Sequence, residues 1–113
     1  SSRRDRKLVR ALRARDEDAF RELVNLYQHK VFNIVFRILN DRQEAEDVAQ
    51  EVFITVFKHI DQFRGDAKFS TWLYTIARNL CIDHQRKMKF RRHASLDQQA
   101  PGSAQTWAEK APN

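Results

Sequence analysis

A chain of 113 residues with two glycines and two prolines, both prolines within its last thirteen positions, has too little punctuation for a hairpin-rich fold and is long enough for one modest core. Its single cysteine, Cys81, excludes an internal disulfide and a cysteine-rich zinc site. The formal charge of +6, from 21 basic and 15 acidic residues, suits a polyanionic partner, and a sequence without a membrane-length apolar run or a leading apolar segment is expected in the cytoplasm, with no membrane insertion.

Charge is unevenly spread. Residues 3–15 hold seven bases and one acid, 41–51 hold five acids and one arginine, and 78–92 hold six bases and one acid. An acidic stretch set apart from basic ones suggests partners of two chemistries.

In chain order, residues 1–15 read as a short basic helix carrying Leu8, Val9, Ala11 and Leu12. Asp16 is a candidate N-cap for a second helix whose stripe runs Phe20, Leu23, Tyr27, Val31, Ile34, Ile38. Asp41 can cap a third helix ending near Ile60, with Ala45, Val48, Ala49, Val52, Val56 and Ile60 inward. Its outer side carries Asp47, Gln50, Glu51 and Lys58, but also Ile54 and, at the border, Phe57. Apolar side chains among exposed acids suit a protein interface, although a crowded bundle could bury both.

After the loop DQFRGDAK, Ser70 is expected to cap a fourth helix running to about Arg92, with Phe69 stapled against Tyr74. Leu73, Ile76, Ala77, Leu80, Cys81 and Met88 fall on its core arc. Trp72, Thr75, Asn79 and Arg86 fall opposite, flanked by Tyr74, Arg78 and Lys89. A ring, an amide and guanidiniums in one strip provide what unstacked bases and phosphates need, while a buried anchoring role for Trp72 fits the same pattern. Residues 94–113 are polar and proline-bearing and read as a flexible linker. The expected fold is therefore all-α: a bundle of about four helices over 16–93, preceded by the basic helix and followed by the linker.

Chemistry of the catalytic kind finds no support. His29, His59, His84 and His93 lack ligand spacing, so no metal site is expected. Asp83 and His84 point about 100° apart on a helix. Gly65 stands alone, without the glycines of a phosphate-cradling loop. No enzyme activity and no cofactor are expected.

The paired stretches AEDVAQEVFITVFKHIDQF and FRGDAKFSTWLYTIARN resemble region 2 of the extracytoplasmic-function (ECF) sigma factors of bacterial RNA polymerase, over about 16–92. The resemblance implies a compact helical bundle that binds the clamp helices of the polymerase β′ subunit and recognises and helps melt the promoter −10 element as single-stranded non-template DNA. Carried onto this sequence, it places Asp47, Gln50 and Glu51 against β′, with Ile54 and Phe57 continuing that surface. It gives the pocket for a flipped base to Phe63, Arg64, Gly65, Lys68, Phe69 and Ser70, and the melted strand to Trp72, Tyr74 and Asn79. Arg78, Arg86, Lys87, Arg91 and Arg92 would hold phosphates or the upstream duplex edge. An anti-sigma factor is the further partner it implies. Nothing in the sequence could form the helix-turn-helix region 4 domain that reads the −35 element, so a domain of a longer protein is expected, and Trp107 in the linker has no assigned partner. Two rival readings stay open: a helical interaction module with a solubilising basic end, and a nucleic-acid binder that never meets polymerase.

Overall fold

Side-chain oxygens fix where the first helices begin. In the computed structural model, which describes residues 2–99 and their side chains as far as Arg92, Ser2 caps α1 (Arg3–Arg13) by accepting from the Asp5 amide at 3.1 Å. Asp16 caps α2 (Glu17–Leu39) through the Asp18 amide at 2.9 Å, and Asp41 caps α3 (Arg42–Lys58) through the Glu44 amide at 2.8 Å. Each carboxylate satisfies an amide that has no partner within the first turn and lies at the helix's positive end.

The turns between helices need left-handed backbone. Asn40, at φ 55°, ends α2, its amide returning to the Phe36 carbonyl at 2.8 Å. Asparagine tolerates this region, whereas Arg15 at φ 62° occupies it without that advantage. The third helix stops at Lys58, short of the expected Ile60, and one 3-10 turn, η1 (Ile60–Gln62), follows.

The final helix, α4 (Phe69–Gln99), differs from expectation at both ends. Its first amide–carbonyl bond runs from Trp72 to Lys68, so Ser70 lies inside the first turn and is not the cap. Burial of Phe69, 0% exposed, outweighs the capping preference of Ser70. At the other end the helix passes Arg92 and is described as far as Gln99; Ala, Leu and Gln sustain a helix. The rest of the expected linker, Trp107 included, lies outside the described residues.

The described residues fall into two units that divide between Cys81 and Ile82. Within the first, α1 packs on α2 and on η1, and α2 packs on α3. The core joins Leu8 and Leu12 of α1, Leu23, Val31 and Val35 of α2, Val48, Val52 and Val56 of α3, then Ile60, Phe69, Leu73 and Ala77. No polar or charged residue is buried among the described residues. Cohesion is thus apolar, at roughly 1.5–3 kcal/mol for each fully buried aliphatic or aromatic side chain.

Candidate nucleic-acid and polymerase interfaces

The loop entering α4 is held at its base and open in its middle. Phe63, 7% exposed, bonds its amide to the Ile60 carbonyl at 3.1 Å. Its own carbonyl accepts from the Arg13 guanidinium of α1 at 2.5 Å. Phe63 meets Phe69 edge-on at 5.6 Å between centroids, and the Trp72 ring lies 5.3 Å from Phe63 and 6.1 Å from Phe69. Between these anchors Arg64, Gly65, Asp66, Ala67 and Lys68 are exposed. Gly65 has φ +85°, and a β-carbon there would meet nothing within 4 Å, so its glycine is required by backbone conformation and not by space.

Of the expected pocket residues, Arg64, Gly65 and Lys68 are therefore accessible and Ser70 is half-buried. Phe63 and Phe69 are buried, so the structure makes them the floor beneath the loop and not groups that a base can touch in this conformation. The sequence could not separate the two roles, because an aromatic residue suits both.

On α4 the expected strip divides. Trp72 is half-buried on the two phenylalanines, whereas Thr75, Arg78 and Asn79 are exposed. Tyr74 turns toward the bundle, edge-on to Tyr27 at 6.3 Å, and Tyr27 also meets Phe69 at 5.9 Å. The Tyr27 hydroxyl donates to Asp5 at 3.3 Å. Burial first, and the Asp5 charge second, push Tyr27 up to about 12, and the same two causes raise Tyr74. Leu73, Ala77 and Cys81 are fully buried, and burial pushes the Cys81 thiol up.

The second unit presents exposed Arg86, Lys87, Arg91 and Arg92. Arg86, Lys87 and Arg91 surround Phe90 in a shallow depression of about 220 Å³. Met88, expected in the core, is 37% exposed there: helical periodicity gives the side a residue faces, not whether anything packs against it at that height.

The α3 outer face matches the sequence reading closely. Asp47, Gln50 and Glu51 are exposed, and Ile54 remains 48% exposed among them. Phe57 is half-buried, edge-on to Phe20 at 5.5 Å and under the Arg15 guanidinium. Asp47 and Gln50 also border a groove of about 690 Å³ between α2 and α3, whose other walls include His29, Phe32 and Phe53. Phe53, 5% exposed, lies inside the core arc of α3 and was absent from the expected list. The larger omissions are Arg13 and Arg15, which tie the first turn to the loop and to α3; only the basic run over 3–15 hinted at a role there.

Comparison with known proteins bears on the family and the fold. Residues 23–91 match the Sigma-70 region 2 family. The chain is 45% identical over 84 residues to the ECF RNA polymerase sigma factor SigW of Bacillus subtilis, covering 74% of this chain and 45% of that protein. It is 46% identical over 80 residues to the RNA polymerase sigma-H factor of Pseudomonas aeruginosa, covering 71% and 42%. The ECF RNA polymerase sigma-E factor of Escherichia coli K12 is 45% identical over 75 residues, covering 66% and 39%. The chain thus spans less than half the length of these relatives. Among solved structures, an engineered region 2 of sigmaE in complex with GTAAAA superposes with a TM-score of 0.72 at 38% identity, covering 80% of this chain and 97% of that one. The chain belongs to the sigma-70 region 2 family, as a region 2 domain of the ECF group of RNA polymerase sigma factors.

Proposed function

We propose that this domain works in transcription initiation: its α3 face docks on the β′ clamp helices of RNA polymerase, and its loop and α4 hold the promoter −10 element as single-stranded non-template DNA. The observation that carries the reading is the loop over 63–68, anchored by Arg13 and floored by Phe63 and Phe69, with Arg64, Gly65 and Lys68 left open. The likeness to an engineered sigmaE region 2 in complex with GTAAAA supports it.

The mechanism contains no chemical step. Docking places the loop beside the duplex; Trp72 and the loop backbone receive extruded bases, Asn79 bonds base edges, and Arg64, Lys68 and Arg78 neutralise phosphates. In the second unit, Arg86, Lys87, Arg91 and Arg92 serve phosphates or the upstream duplex. Stacking contributes about 1–3 kcal/mol per base, which offsets the few kcal/mol needed to unpair and extrude one. Because polymerase supplies the tether, the domain alone binds DNA weakly. Such a domain acts in the cytoplasm, and an anti-sigma factor that covers the exposed Ile54 surface is its further partner; among the described residues no helix is long and apolar enough to cross a membrane.

The test is fluorescence anisotropy with a GTAAAA-bearing oligonucleotide, single-stranded and as a duplex. The reading expects tighter binding of the single strand and its loss in Asn79→Ala. Equal binding of both forms, unchanged by that substitution, would contradict it.

A further inference from the structure

A cleft of about 390 Å³ lies between α1 and the loop, and its walls carry Arg6, Arg10 and Arg13 from one side and Arg64 and Gly65 from the other. The three arginines of α1 recur at steps of three and four, which sets them on one side of the helix. Among the residues that line the cleft, four arginines stand with one carboxylate, Asp5, so the cleft is strongly positive. Arg13 is committed to the Phe63 carbonyl, and Gly65 leaves open space above the loop backbone. Planar, permanently charged forks grouped in an open cleft fit a phosphodiester far better than they fit a neutral or cationic ligand.

We infer that this cleft is a phosphate-binding site for the single strand whose base enters the loop, with Arg6 and Arg10 of α1 gripping backbone phosphates of the nucleotides that flank the six held by the loop and α4. The inference rests on the proposed role of the loop and extends the strand's path onto α1. Arg13 acts differently, as a positioning residue that fixes the loop and so lends the site its shape. The contacts carry no sequence information; they set the strand's register and add affinity that falls with salt.

The experiment compares GTAAAA alone with GTAAAA flanked by five thymidines on each side, measured by anisotropy on the whole chain across a salt series. The unaltered chain should bind the flanked strand about tenfold more tightly, since flanks supply the phosphates that a hexamer lacks. The Arg6→Ala/Arg10→Ala double variant should lose that gain and shed about 0.7 of salt slope per lost phosphate contact, while its affinity for the bare hexamer stays within about twofold. Lys30→Ala/Arg37→Ala, two exposed cations on α2, controls for net charge and should behave as the unaltered chain. Circular dichroism checks that the exposed substitutions leave the helices intact. A double variant that keeps the flank gain would overturn the cleft and leave these arginines to an acidic protein partner. Absence of binding to either strand by the unaltered chain would overturn the reading of the loop, and the cleft with it.

Discussion

Arg15 clasps Phe57: its guanidinium stands 5.1 Å from the ring centroid, donates to the Phe57 carbonyl and pairs with Asp61 at 3.2 Å. One residue between α1 and α2 thereby steadies the end of α3, where the proposed polymerase surface closes. The ion pair itself is 42% and 68% exposed and contributes little; the ring and the carbonyl matter more.

Arg15→Ala should therefore destabilise the domain by about 1–2 kcal/mol, the sum of an exposed cation–π contact and one hydrogen bond. Arg15→Gly loses the same contacts but relieves the left-handed backbone, so it should be about 1 kcal/mol more stable than the alanine variant. Urea denaturation of both variants checks the ordering; alanine at or above glycine would remove strain from the explanation.

At Gly65 the backbone alone sets the cost. With φ +85° and nothing within 4 Å of an added β-carbon, Gly65→Ala should cost about 1 kcal/mol, and Gly65→Asn less, because asparagine tolerates positive φ. A thermal melt separates them. A loss as large as that of a core truncation would mean that a clash, and not conformation, dominates.

Trp72 touches both candidate roles, anchor and platform. Trp72→Leu keeps an apolar side chain on Phe63 and Phe69, so stability should fall by only about 1–2 kcal/mol, while affinity for a single-stranded oligonucleotide should fall about tenfold for want of a stacking face. Phe69→Ala, by contrast, empties a fully buried site and should cost about 3–5 kcal/mol whatever its effect on DNA. Equal affinity in the leucine variant would reduce Trp72 to an anchor.

Tyr27 sets an alkaline limit. Its folded pKa of about 12 lies above the ordinary 10, so the unfolded chain releases this proton first as pH rises. Its contribution is whole below pH 10 and fades between 10 and about 12. Tyr27→Phe should flatten the decline in stability over that window, leaving Tyr74 and Cys81, both also raised by burial, to account for the rest. Denaturant midpoints at a series of pH values give the answer, and parallel curves would discount the group.

What the sequence disclosed follows from what is local and periodic. The caps at Asp16 and Asp41 and the arcs through Leu23, Val31, Val52, Val56 and Ala77 depend on short-range rules, and all appear as expected. The α3 outer face was legible for the same reason. The errors belong to tertiary competition. Phe69 began α4 early because burying a ring outweighs a serine cap, and Met88 followed its period yet stayed 37% exposed. The bonds from Arg13 to Phe63 and from Arg15 to Phe57 span 50 and 42 positions, and no periodicity reaches so far. The candidate DNA site was therefore visible as a list of residue types, but not as a floor of buried rings beneath an open, arginine-held loop.

The two proposed surfaces make one crossed measurement decisive. Asp47→Ala/Gln50→Ala and Arg64→Ala/Asn79→Ala, all at exposed positions, are each tested for capture by the β′ clamp-helix coiled coil and for binding of a single-stranded GTAAAA oligonucleotide. The α3 pair should abolish capture and leave the oligonucleotide bound, and the loop pair should do the reverse. If each pair weakens both activities alike, or the α3 pair leaves capture intact, the division of labour is wrong.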